Sequence, residues 1–262
     1  MEDDERKRAA AAAFGDAAAA YLDSESHRRG EDLDRLAGWC READRALDVA
    51  TGAGHAAGAL RGAGVDEVIA ADAAPEMVAT AERTFDVHGV VADAERLPVE
   101  SNAVDAVTCR IAAHHFPDPR AFVAEVARVV RPGGTFAFED NVAPTDERCR
   151  QFLNRLERER DPTHVESHTA EQWCEWMTAA GFEIVTTATV GKRLVVDDWL
   201  DAQSPSRERR QRVKRLLREA PAAATEAFEI EVIDGEPRHW YNPKVLICAS
   251  LPERVADASW NE

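Results

Sequence analysis

Three aspartates carry the strongest chemical signal in the chain. Asp48, Asp72 and Asp93 each close a short apolar run, and the first run leads into Gly52 and Gly54. A strand, a tight turn and a helix beginning near His55 form the arrangement in which a doubly wound sheet holds a nucleotide. Glycine serves there because the backbone must turn sharply and come close to the ligand. Gly52-x-Gly54-x-x-Ala57, with Asp72 twenty residues after Gly52, also satisfies the dinucleotide fingerprint. Charge weighs between the readings. A dinucleotide would set a pyrophosphate over this turn, where Asp48 repels it and no Lys or Arg between Asp48 and Leu60 compensates. S-adenosylmethionine (SAM) brings a sulfonium and an ammonium with one carboxylate, which suits an acidic strand end.

A second group of residues has the chemistry of a proton acceptor. His114 and His115 follow the fourth apolar run and are the candidate catalytic pair, the base that a hydroxyl or weakly acidic carbon would need. Glu139-Asp140 after the fifth run and His239-Trp240-Tyr241 near the C-terminus are weaker candidates, the last three being equally suited to a core.

Composition narrows the function classes. The 262 residues carry 32 basic and 49 acidic side chains, a formal charge of −17, which argues against nucleic acid and anionic membrane as partners. Lysine is confined to positions 7, 192, 214 and 244, a pattern that a high-salt cytoplasm favours; an ordinary acidic protein is the alternative. Five scattered cysteines without a C-x-x-C point to reduced thiols and no zinc site. No run is apolar over ~18 residues, and Met-Glu-Asp-Asp does not open a signal peptide, so a cytoplasmic protein without integral membrane association is expected.

The elements that would position these residues follow in order. Residues 1–13 read as a frayed helix, and a helical pattern from Phe14 to Leu36 is broken over Ser24–Gly30. A helix over Asp32–Cys40 precedes strands at Ala46–Ala50, Val65–Asp72, Gly89–Ala92, Ala103–Arg110 and Thr135–Glu139. Between them lie helices from His55 to Gly62 or Gly64, from Pro75 to Phe85, and from the Asp118-Pro119 cap to a stop at Pro132-Gly133-Gly134. Short apolar strands alternating with helices predict a parallel, helix-covered sheet. Beyond residue 140 come a helix near Cys149–Arg160, a capping box at Thr169–Gln172 opening a helix to Ala180, and a strand over Phe182–Val190. A helical insertion over Asp197–Ala227, a hairpin of Phe228–Ile233 with His239–Ser250, and a loose tail over 252–262 complete the chain.

As a set these residues resemble the class I SAM-dependent methyltransferases, and most of all the branch typified by the ubiquinone/menaquinone-biosynthesis C-methyltransferase. The resemblance rests on Leu-Asp-Val-Ala-Thr-Gly-Ala-Gly-His (47–55), Ala-Asp-Ala-Ala-Pro-Glu-Met (71–77) and Ala-Asp-Ala-Glu-Arg-Leu-Pro (92–98). It continues through Thr-Cys-Arg-Ile-Ala-Ala-His-His-Phe-Pro-Asp-Pro (108–119) and Val-Val-Arg-Pro-Gly-Gly-Thr (129–135), covering about residues 14–140. Ala50 departs from it, standing where many relatives carry the first glycine of the turn.

The resemblance implies a single α/β domain over 1–262. Its fold would be doubly wound and Rossmann-like, a mostly parallel seven-stranded sheet with a C-terminal antiparallel hairpin strand and helices on both faces. It also implies SAM as the cofactor and a small-molecule methyl acceptor. Asp48, Ala50, Gly52 and Gly54 would hold the methionine part of SAM, with Asp48 facing the ammonium. Asp72, beside Ala73, would accept from both ribose hydroxyls, as a carboxylate naturally does. Met77 would lie on the adenine face, Asp93 and the Ala94 amide would take the adenine edge, Arg110 would lend its main chain beneath the methionine, and Tyr21 would close over the cofactor. A non-catalytic SAM or nucleotide binder and an NAD-dependent oxidoreductase are the alternatives, and the residues leave the oligomeric state open.

Overall fold

The computed structural model describes residues 3–23, 28, 30–203 and 205–253. Two helices, α1 (Asp3–Asp16) and α2 (Ala18–Asp23), precede α3 (Glu31–Trp39). The nucleotide-binding half follows as β1 (Arg45–Val49), α4 (His55–Gly62), β2 (Glu67–Asp72), α5 (Pro75–Thr84), β3 (His88–Val91), β4 (Val104–Arg110), α6 (Pro119–Val129) and β5 (Val130–Asn141). Then come α7 (Glu147–Arg160), α8 (Ala170–Ala179), β6 (Glu183–Val195), α9 (Val196–Asp201), α10 (Arg207–Arg218), α11 (Ala222–Ala227), β7 (Glu231–Ile233) and β8 (Glu236–Ser250).

The strand order is β3-β2-β1-β4-β5-β8-β6, with β8 antiparallel to both neighbours and the three-residue β7 paired to it. The expected seven strands are all present, and β7 makes an eighth. Chain order reverses between β1 and β4, so the crevice for a ligand opens at their carboxyl ends. Both faces are covered. On one, Phe122 of α6 and Trp173 and Met177 of α8 pack on Phe136 and Phe138; on the other, Leu36 of α3 and Leu60 of α4 pack on Ala46, Val68 and Ala106.

Several boundaries differ from those read off the sequence. The Pro132-Gly133-Gly134 stretch does not separate helix from strand, because α6 hands over to β5 at Val130. Pairing slips there from Val104↔Val130 to Ala106↔Thr135, and Gly133 takes φ 82° inside that irregularity. The residues expected as one frayed helix over 1–13 run on to Asp16 as α1. The insertion over 197–227 is three helices, interrupted where Ser206 caps α10 and Pro221 precedes α11. Strand β6 continues five residues past Val190 and pairs with the first half of β8, up to Val195↔His239. Strand β5 ends opposite Lys244, so this two-stranded arm projects past the carboxyl edge of the sheet. There Trp240 packs in a second apolar cluster with Leu153, Leu156, Trp199, Leu200 and Phe228, which ties the arm to α7, α9 and the segment after α11. The helix break at 24–30 and the tail at 252–262 lie largely outside the described residues.

Candidate active site

A cavity of about 410 Å³ opens at the carboxyl ends of β1, β2, β3 and β4. Its floor is the turn after β1. Ala50 takes φ 53° and Gly52 φ 54°, so alanine here occupies the left-handed region at a cost of about 1 kcal/mol. A Cβ on Gly52 would meet nothing within 4 Å and would enter the ligand space, whereas one on Gly54 would come within 2.7 Å of the Ala81 Cβ. Gly52 is therefore a place for close approach, and Gly54 seats the turn against α5. Ile111, just past β4, is also held at φ 53° and lines the same cavity. Such strain persists only where the surroundings impose it.

The three strand-end aspartates converge on this cavity. Asp48 is fully enclosed, with its two oxygens each accepting a hydroxyl at 2.6 Å, from Thr51 and from Thr108 on the next strand. Burial nevertheless pushes its pKa up to about 6. Asp72 accepts from the Gly52 and Ala74 amides, both at 2.9 Å, and burial raises its pKa despite them. Asp93 accepts the Glu95 amide at one oxygen and Lys7 Nζ at the other, at 2.9 and 2.8 Å. Lys7 also reaches Glu95, so α1 is pinned across the mouth of the cavity.

Of the other residues singled out from the sequence, Tyr21, Ala73, Met77, Ala94, Arg110 and His115 line the cavity, while Gly54 and His114 do not. Tyr21 accepts from Gln203 Nε2 at 2.8 Å and meets Phe14 edge to face, joining the N-terminal helices to the segment after α9. The Arg110 side chain turns into an ion-pair network, 2.6 Å from Asp32 and 2.7 Å from Glu139. Lys244 stands 3.9 Å from Glu139, with burial lowering its pKa to about 8. This network fixes α3 to the sheet beside the cavity and accounts for Glu139. The trio at 239–241 is elsewhere: Trp240 fills the second core, and His239 pairs with Glu231.

The expected histidine pair divides. A single 3-10 turn over Ala113–His115 sends the two side chains to different neighbours. His114 Nδ1 lies 2.6 Å from Asp140 Oδ1 behind the cavity wall, and that carboxylate outweighs burial and raises the imidazole pKa. His115 faces the cavity, and burial together with the neighbouring His114 charge brings its pKa down to about 4. Sequence reading missed Lys7, Phe14 and Thr163 as site residues. Lys7 lies in the stretch that reads as a frayed helix, Phe14 reads only as part of a helical pattern, and Thr163 sits in a loop without periodicity. No cluster of His, Cys, Asp or Glu among the described residues has metal-holding geometry.

Three carboxylates thus line one cavity, on a fold that places it at the sheet's topological switch. A methyltransferase domain family matches residues 47–138. The uncharacterized methyltransferase YcgJ of Bacillus subtilis is 33% identical over 243 residues, which span 89% of this chain and 96% of that protein. A crystal structure of a Bacillus halodurans protein assigned as a methyltransferase superposes with a TM-score of 0.81 at 32% identity, covering 85% of this chain and all of that one. The demethylmenaquinone methyltransferase of Thermus thermophilus is 41% identical over 97 residues, 34% of this chain and 44% of that enzyme. The chain belongs to the class I SAM-dependent methyltransferases.

Proposed function

We propose that this protein transfers a methyl group from SAM to a small-molecule acceptor. The observation that carries the reading is the convergence of Asp48, Asp72 and Asp93 on one cavity floored by the exposed backbone of Gly52. The residues fit SAM. Asp72 has lone pairs left for a ribose diol after accepting two amides, and Asp93 stands with Ala94 at the adenine end. Asp48 sits beneath the turn where a cationic methionine group would offset the cost of ionising a buried carboxylate. Bound there, SAM supplies an electrophilic methyl on a sulfonium, which needs alignment and dryness more than activation. Phe14 and Tyr21 on the N-terminal helices and Phe116 after β4 exclude water, and His115, like His55, is a cavity-lining imidazole that can take a proton. We read the whole chain as one such domain, acting in the cytoplasm on a small-molecule acceptor; no described helix is long and apolar enough to cross a membrane.

Thermal shift with SAM, S-adenosylhomocysteine and NAD side by side tests the reading. The first two are expected to raise the melting temperature with micromolar-range midpoints and NAD to leave it unchanged. Stabilisation by NAD alone would overturn the assignment of the cavity.

A further inference from the structure

His115 is held on the side away from the cavity by a two-step relay. Its Nδ1 lies 3.1 Å from Thr163 Oγ1, and that hydroxyl lies 2.6 Å from Asp161 Oδ1. Asp161 also accepts the Thr163 amide at 2.8 Å, so the hydroxyl and the amide of Thr163 both donate to this one carboxylate. The single hydroxyl proton of Thr163 is thus committed to Asp161, and its oxygen is left only to accept. Nδ1 of His115 must then carry the hydrogen. A neutral imidazole protonated at Nδ1 has a bare lone pair at Nε2. Nδ1 is the ring nitrogen that meets a side chain, and His115 lines the cavity between Phe14, whose ring meets it edge to face at 4.9 Å, and Phe116. The charged and titratable groups around the ring are His114 from the same 3-10 turn, Asp140 from β5, and Asp161 and His164 from the loop after α7.

We propose that Thr163 and Asp161 are positioning residues that fix His115 as the Nδ1–H tautomer, so that Nε2 takes the proton from a phenol or enol hydroxyl acceptor. The inference rests on the methyltransferase reading of this cavity. The acceptor oxygen forms a bond to the methyl carbon as the carbon–sulfur pair passes to sulfur, and the hydroxyl proton moves to Nε2 and later to solvent. One positive charge leaves the sulfonium and one arrives on the imidazole, so charge balances. A base this weak is sufficient because an oxygen that is gaining a methyl becomes far more acidic as it does so. An amine acceptor would arrive as an ammonium that such a base cannot deprotonate, and a thiol ionises without help. The aromatic walls beside His115 suit a flat apolar body.

Long-range proton–nitrogen NMR on the full chain, labelled at histidine nitrogen and with the His115 signals identified by their loss in His115→Gln, reads the tautomer directly. The wild type should show Nδ1–H, Thr163→Ser should retain it, and Thr163→Val should move it toward Nε2–H. A wild-type Nε2–H pattern, or no response to valine, overturns the relay; should Thr163→Val not fold, the wild-type spectrum decides alone. With S-adenosylhomocysteine bound, 2-naphthol should shift the Nε2 resonance and bind about fivefold more weakly to Thr163→Val, the loss of one hydrogen bond. SAM affinity should stay unchanged in that variant. Equal binding of 2-methoxynaphthalene, or no naphthol binding, overturns the hydroxyl class. Absence of SAM binding with the tautomer as stated would fail the reading of the cavity and leave the relay standing.

Discussion

Asp72 Oδ2 accepts the Gly52 amide at 2.9 Å, tying the end of β2 to the turn after β1. The same carboxylate takes the Ala74 amide through its other oxygen, at the entrance to α5. One side chain thus sets the spacing between the turn that would lie under methionine and the helix that would carry adenine. The residue also lines the cavity between them.

Asp72→Ala is accordingly expected to weaken SAM binding by about 1–3 kcal/mol, the cost of losing charge-assisted bonds. It should also lower the melting temperature without ligand, since two amides lose their acceptor. Isothermal titration paired with a melt checks both. An unchanged dissociation constant would remove Asp72 from the site.

Asp48 makes a prediction about protons. Its folded pKa of about 6 lies above the ordinary carboxylate value, so its contribution to stability is full below that ordinary value and is lost as pH rises through about 6. A cation bound nearby reverses this by favouring the charged form. SAM binding at pH 5.5 should therefore release roughly half a proton or more, and at pH 8 none. Calorimetry in buffers of different ionisation enthalpy measures the release, which Asp48→Asn should abolish. Equal heats in all buffers at pH 5.5 would mean that no cation reaches Asp48.

The fold's first half was legible because its signals are local. Apolar runs ending at Asp48, Asp72 and Asp93, the Gly52 turn, and the Asp118-Pro119 cap each mark an element boundary through backbone chemistry that neighbouring residues decide. The histidine pair shows where that legibility ends. His114 and His115 are adjacent in sequence, and only the 3-10 turn determines which one meets Asp140 and which meets the cavity. Thr163 and Asp161 reach His115 across 48 and 46 residues from a loop with no pattern to read. Ala50 stands where many relatives carry glycine, and its φ of 53° shows that it carries some strain there.

Arg110 is expected to matter for stability before it matters for binding. Its guanidinium is the shared partner of Asp32 and Glu139, both almost wholly buried, and Lys192 and Lys244 approach them only to 3.8 and 3.9 Å. Arg110→Met removes the charge and leaves two buried carboxylates poorly compensated, which should cost about 3–5 kcal/mol. For a chain of this size that lowers the melting temperature by about 10 °C. Adding Glu139→Gln should restore part of the loss, because one uncompensated charge disappears. If the single variant melts like the wild type, the lysines are sufficient and the arginine is not the keystone of the network.

Salt is expected to stabilise this protein. Surface pairs such as Arg128–Glu125 and Arg212–Glu159 each contribute at most about 1 kcal/mol and weaken as salt is added. Yet 49 acidic side chains face 32 basic ones, so even complete pairing would leave 17 carboxylates repelling one another. Raising chloride salt from ~0.01 to ~1 M shortens the screening length from about 30 Å to about 3 Å, which removes most of that long-range repulsion. Contacts at hydrogen-bond distance are shorter than the screening length until salt nears ~1 M and lose less. The melting temperature should therefore climb with sodium or potassium chloride; sulfate is unsuited to the test because its exclusion from protein surfaces stabilises whatever the charge. A flat or falling melting curve would show that the local pairs outweigh the net charge.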